Sequence, residues 1–494
     1  MSTSVGEAAP IAAPKSKGAR ASADIKKAPR AGDSAGHSAH AEIPFKSPDQ
    51  RRAAGKALRD TAPREEHGRW KPPKNRRDPI DILNESNEGR LPDLIPLRFG
   101  RMMQSPFAFY RGSAAVMAAD LATMSSPGIR VQACGDAHLS NFGGFATPER
   151  RIIFDINDFD ETLPGPWEWD LKRLVASIVL AGRHISLSET DTVRAVRATA
   201  RSYRERMTDY AAMRALDVWY DAIDVERFVA AMESKETRIR VQQRLRKQMT
   251  KNTPDFLFPK FVHQVGDLPR ITDHPPLIFH PTSDVAAGFS SGYKSAIARY
   301  RESLAEHLRT LLDRYQFCDL AIKVVGVGSV GTQCWIALCM ANEGDAIFLQ
   351  VKQATASVLE PYVGVSQYPN HGERVVVGQR LMQSASDLFL GWGRGENKSH
   401  FYVRQLRDMK TSAIIEDFDA VDLRSYSRVC GWALARAHAR SGDSAEIAGY
   451  LGSSDIFDQA MCDFAVEYAD QAQGDHRAFV RAVRQGRITA VLDA

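Results

Sequence analysis

Residues 319–353 read DLAIKVVGVGSVGTQCWIALCMANEGDAIFLQVKQ, and two architectures compete for that stretch. Asp319 to Leu338 and Ala346 to Gln353 are rich in Val, Ile and Ala, and glycines punctuate the first run, so both read as strands around a glycine loop. Gly326, Gly328 and Gly331 form a GxGxxG, with Ser329 inside it. Alone, that motif also fits a Rossmann-type dinucleotide-binding unit, in which a helix starts at the glycines and an acid ends the next strand. Glu343 and Asp345 lie at about the right distance, but they precede the strand AIFLQVK, and its end carries Lys352. Strand, glycine loop, strand and then a strand bearing lysine is an arrangement that covers phosphates. Glycines let backbone amides approach, and the ammonium pairs with the phosphate charge. Glu373 follows Lys352 by 21 residues on a predicted helix over Glu373–Leu390, placed for an ion pair with it. A further strand, Ser399–Leu406, completes the run.

Upstream, Ile129–Cys134 reads as a short strand leading into Gly135-Asp136-Ala137-His138-Leu139-Ser140-Asn141. An Asp followed five residues later by an Asn can aim a carboxylate at an acceptor hydroxyl and an amide oxygen at a metal ion. A second short strand, Arg151–Ile156, runs into Asp155-Ile156-Asn157-Asp158-Phe159-Asp160-Glu161. Four carboxylates in seven residues repel one another unless solvated or bound to a cation, and hard oxygen ligands at that density suit magnesium. Then Trp167-Glu168-Trp169-Asp170-Leu171 opens a helix whose Leu171, Leu174, Val175, Ile178 and Val179 form an apolar stripe.

GDAHLSN, DFDE and WDL together resemble the aminoglycoside and choline phosphotransferases of the protein kinase-like superfamily. In more detail FAFYRG, GDAHLSNFG, NDFDETLPGPWEWDLKRL, KVVGVGSVGT and LARAHARSGD resemble the bacterial family called domain of unknown function 2252, over nearly all of residues 90–490. The resemblance implies a two-lobed kinase-like α+β fold and an ATP- and magnesium-dependent phosphotransferase. Asp136 would be the catalytic base, Asn141 a metal ligand, Asp158 the principal metal-binding Asp, and Asp155 and Asp160 helpers. Gly326, Gly328, Ser329, Gly331, Lys352 and Glu373 would hold the nucleotide. Cys134 stands where the phosphotransferase pattern has His. The glycine loop follows the catalytic loop by nearly 200 residues, so the fold would be circularly permuted.

The organisation expected from the sequence is a disordered basic arm (1–77), a large-lobe-like catalytic segment with a helical insert (78–315), a β-rich nucleotide-binding segment (316–412) and C-terminal helices (413–494). Residues 106–124 read as one helix, 251–292 as an irregular connection and 293–316 as another helix. The chain has 494 residues and a net charge of +5; the first 77 residues carry +9 and the remainder −4. A body of that sign argues against nucleic acid as a partner, except weakly through the arm. No stretch approaches the roughly 18 apolar residues that cross a bilayer, and the first thirty residues lack the core of a signal peptide. Six cysteines without a CxxC pair read as reduced thiols of a cytoplasmic protein. The acceptor, a small molecule or a protein hydroxyl, is not legible. Two other classes stay open: a nucleotide-binding pseudokinase, and an enzyme of the same fold transferring another group such as AMP.

Overall fold

The computed structural model describes residues 46–251 (248–251 as backbone only), 260–266, 268–280, 296–324, 330–342, 344–395, 398–406 and 410–492, together with 258, 326 and 328. The protein is a mixed α+β structure with several antiparallel sheets, and Lys46–Ala494 forms one unit.

The 319–353 stretch folds as antiparallel strands. Gln316–Lys323 pairs with Cys334–Asn342 across the glycine turn, and Cys334–Asn342 pairs in turn with Asp345–Ala354. No helix starts at Gly331; the chain turns there at φ +88° and enters a strand, which removes the element a Rossmann unit needs. His400–Gln405 and Gly391–Arg394 extend the sheet on one side and Ile278–Phe279 on the other, giving six strands. Alternation along the strands divides its faces. Ile336, Leu338, Ala346 and Phe348 face one apolar cluster, while Ala337, Cys339, Ile347 and Leu349 face another.

Parts of the expected insert belong to this sheet rather than to the catalytic segment. Ile271 and Ile278 join the first cluster, and Tyr300, Leu304 and Leu312 join the second. The connection thought irregular contains a hairpin, Val262–Val265 with Leu268–Ile271. Each face of the sheet needs an apolar cover, and these residues supply it. The helix expected over Glu373–Leu390 spans His371–Met382, and the 106–124 helix is broken into Pro106–Arg111 and Ala114–Leu121. The break falls at Gly112, where a Cβ would lie 2.8 Å from the Met102 sulfur.

A second sheet follows the Gly135–Asn141 segment: Phe142–Ala146 pairs with Ile152–Ile156. Behind it the helix Trp167–His184 is buried nearly all round. It packs against Glu189–Ala212, Ala420–Ser441 and Ile456–Arg484, so the C-terminal helices close over the segment 300 residues upstream.

The basic arm is the largest departure from expectation. Residues 1–45 lie outside the described residues, but 46–77 are folded onto the body. Pro48–Ala57 is a helix with a Ser47 capping box, and Arg59 donates to the carbonyls of Gly449 and Tyr450. Trp70 is buried against Tyr468. Arg76 forms paired hydrogen bonds of 2.6–2.8 Å to the carboxylates of Asp120 and Asp475. Counting charge misjudges this segment because its arginines meet carbonyls and carboxylates of the body instead of solvent. Replacing Arg76 by Ala leaves two nearly buried carboxylates facing each other. Stability in urea should fall by about 3–5 kcal/mol; a change below about 1 kcal/mol would mean that the arm is not part of the folded unit.

Candidate functional site

Lys352 ends the central strand of the large sheet opposite Cys334 on one neighbour and Tyr402 on the other. Its side chain leaves the sheet toward the acidic loop: Nζ lies 2.7 Å from Asp160 Oδ2 and 3.5 Å from Asp158 Oδ2. Burial opposes the ammonium charge, but the two carboxylates outweigh it and hold the Lys352 pKa well above its ordinary value. Burial likewise opposes the Asp160 carboxylate, and Lys352 and the Tyr402 hydroxyl, which donates to Oδ1 at 2.7 Å, hold it below the usual range. Arg404 projects on the same face two residues after Tyr402, donating to Gln350 and to the Asn157 carbonyl.

Glu373 is not among the described partners of Lys352; its backbone N–H faces the Asn370 side chain that caps the helix. The next residue turns inward instead. Arg374 is buried and donates to the carbonyls of Asp160, Thr162 and Thr355. A one-residue shift rotates a helical side chain by about 100°, enough to exchange the expected acid for a base.

The segment around Gly135 and Asp136 is held from three sides. Gly135, at φ +82°, passes 2.5 Å (measured to a Cβ) from the Glu161 carbonyl, where only glycine fits. Asp170 accepts from the N–H groups of Cys134 and Gly135 at 2.6 and 2.9 Å. Behind it His438 lies at 3.1 Å, with its other ring nitrogen 2.8 Å from the Tyr203 hydroxyl. His438 is thus buried and supports the loop through Asp170. Arg173 donates to Asp136 Oδ1 at 2.6 Å and to the Tyr110 carbonyl. Burial raises the Asp136 pKa, and Arg173 opposes that shift.

Asn141 and the acidic loop are used differently from the expectation. The Asn141 amide donates to the carbonyls of Asp136 and Asp158, and its Oδ1 accepts from Asp158 N–H at 2.8 Å. It staples the two loops together, leaving one lone pair on Oδ1. Asp155 is no metal helper: it is fully buried, pairs with Arg436 at 2.7 Å and accepts from Ser384. Asp158 lies beyond the end of that strand, which closes at Ile156. Asp160 is engaged by Lys352, so Asp158, 40% exposed, is the carboxylate best placed to meet a cation. Among the described residues no group of three His, Cys, Asp or Glu side chains is arranged to hold a metal ion.

The glycine turn lies over this loop. A Cβ on Gly328 would stand 4.0 Å from Asp136 Oδ2 and 3.3 Å from the Arg111 carbonyl. Arg90 pins the turn by donating to the carbonyls of Gly328 and Val330, and Leu91 N–H donates to Gly331. Gly326 has open space around it, and Ser329 lies outside the described residues. Asp136, Asn141, Asp158, Asp160, Gly326, Gly328 and Lys352 all line one cavity of about 1560 Å³.

The family described as "Uncharacterized protein conserved in bacteria (DUF2252)" matches residues 90–482. The chain belongs to this family. Neither a curated protein nor a solved structure matches it. The DUF2252 span opens on Arg90, the clamp of the glycine turn, and takes in Asp136, Asp158, Asp160, Lys352 and Arg404. No helix among the described residues is long and apolar enough to cross a membrane.

Sequence reasoning missed Arg90, Arg173, Arg374, Tyr402 and Arg404. The last two carried a signal: in FYVRQL they share a face, and that face is the one on which Lys352 lies. Arg173 and Arg374 are charges within otherwise apolar helix faces, which marks a buried partner.

Glu161 gives a pH test of this desolvated wall. Burial pushes its pKa up from 4.5 to about 7, against a hydrogen bond from Val358 N–H. Between those values the folded state holds a proton that the unfolded state has released, so stability falls as pH rises through the window. Glu161→Gln removes that loss. Its melting temperature relative to the parent should therefore climb between pH 5 and pH 8, and a gap independent of pH would contradict the burial of the carboxyl.

Proposed function

We propose that this protein is an ATP- and magnesium-dependent phosphotransferase acting on a hydroxyl acceptor. The observation that carries the reading is the convergence of Lys352, beneath a glycine turn, with Asp136, Asp158 and Asn141 on one cavity, from segments about 200 residues apart. Lys352 and Arg404 supply fixed positive charge for phosphates. The backbone around Gly326 and Gly328 can approach them without a side chain intervening. Asp158, with the spare lone pair of Asn141, fits a cation held jointly with phosphate oxygens, as magnesium usually is. Bound there, magnesium would neutralise charge on the phosphates.

Asp136 is oriented by Arg173 and faces the glycine turn. The acceptor oxygen would attack the terminal phosphorus while its proton passes to the Asp136 carboxylate. The bond from that phosphorus to its bridging oxygen breaks, and the electron pair leaves on the diphosphate. Arg173, donating to one Asp136 oxygen, leaves the other to receive the proton.

Incubation with γ-labelled ATP and a metabolite extract, with and without magnesium, tests the activity: label should move to an acceptor only with the metal. Asp136→Asn should lower turnover by at least about 100-fold, while thermal shifts by ATP-magnesium stay near those of the parent. Lys352→Ala should lose the shift itself. Absence of any ATP-induced shift in the parent would remove the reading.

A further inference from the structure

Arg111 and His138 flank Asp136 on the cavity wall, and neither is explained by the nucleotide site. Arg111 is partly buried, its Nε is shielded from solvent, and among the described residues neither a hydrogen bond nor an ion pair engages its guanidinium. His138 is only 9% exposed and its Nδ1 has no partner; Nε2 lies 3.9 Å from Asp136 Oδ2. A buried guanidinium or imidazole nitrogen left unpaired costs free energy that a bound anion would return. Buried polar groups of folded proteins usually have a partner in protein, ordered water or a ligand.

Arg111 and the lysine that would serve the nucleotide differ in charge partners. Arg111 takes its partners from Asp136 and Glu416, and Lys352 takes its own from Asp158 and Asp160. Ligand pockets usually run to about 300–1,000 Å³, so a cavity of about 1560 Å³ has room for a second substrate beside a nucleotide.

Resting on the phosphotransferase reading, we propose that Arg111 and His138 form an oxyanion subsite that holds a phosphate or carboxylate group of the acceptor, with the acceptor hydroxyl beside Asp136. The acceptor is then an acidic alcohol. A cationic one, such as an aminoglycoside or choline, would be repelled by Arg111. Guanidinium is suited to the task because its planar fork meets two oxygens of either anion at once.

Isothermal titration of the full chain with inorganic phosphate, and separately with acetate, against potassium chloride at matched ionic strength, tests the subsite. At least one anion should bind saturably without nucleotide, and the stronger of the two identifies the acidic group. Arg111→Gln should weaken that binding about tenfold or more, and His138→Ala less, while ATP affinity measured in parallel stays within threefold. Arg111→Lys, which keeps the charge but not the fork, should fall between parent and Gln, and this covers the case of a Gln variant that does not fold. Equal anion affinity in parent and Arg111→Gln, or anion binding lost in Lys352→Ala and displaced by ATP, would overturn the proposal. Loss of ATP binding in the parent would instead sink the phosphotransferase reading, since the anion titration contains no nucleotide.

Discussion

A buried ammonium and two carboxylates, Lys352 with Asp160 and Asp158, join the large sheet to the acidic loop across 192 residues of sequence. Either charge alone would be costly in that environment, since an isolated buried ion loses far more hydration than a single contact restores. The sheet and the acidic loop are therefore tied together at a junction where both charges must be present. Tyr402 and Arg404 from the neighbouring strand complete the desolvated charge cluster. The cavity takes its shape from this junction, with the glycine turn above and the 135–161 segment below.

Around the junction the protein separates carboxylates by environment. Asp155 is neutralised by Arg436 in the core, Asp160 by Lys352 at the junction, and Asp136 by Arg173 at the cavity wall, while Asp158 stays partly in water. Asp170, from the following helix, takes the backbone N–H groups of the loop itself. Asp155, Asp158 and Asp160, which look equivalent as a run in sequence, thus carry different tasks. Alternation on a strand and the turns that follow it point each side chain at a different partner. Asn141 adds a reciprocal staple, so the Asp136 and Asp158 loops move as one body.

The elements near the site were largely legible in the sequence. Runs rich in Val, Ile and Ala, punctuated by glycines, gave away the hairpin of 316–342, and a Lys near the end of the next strand weighed against a Rossmann unit. Boundaries were less legible: the helix breaks at Gly112, where Met102 occupies the space a Cβ would need, a fact about a residue ten positions away. The basic stretch 51–77 was misread as an arm, because local composition does not reveal that Arg59, Arg64 and Arg76 have partners near the C-terminus.

The sequence by itself determined which residue types could do chemistry here: an Asp and an Asn five apart, a dense acidic turn, a glycine loop and a strand-terminal Lys. These depend on short-range spacing and local propensity, which residues within about ten positions control. Tertiary structure alone decided which of them meet. It set Asp160 rather than Glu373 against Lys352, turned Arg374 inward, and withdrew Asp155 into the core. It also brought Arg90, Arg111 and Arg404 to one cavity and set Arg173 against Asp136. Pairing of buried charges is settled by desolvation and by side-chain direction in three dimensions, and neither quantity exists until distant segments have packed.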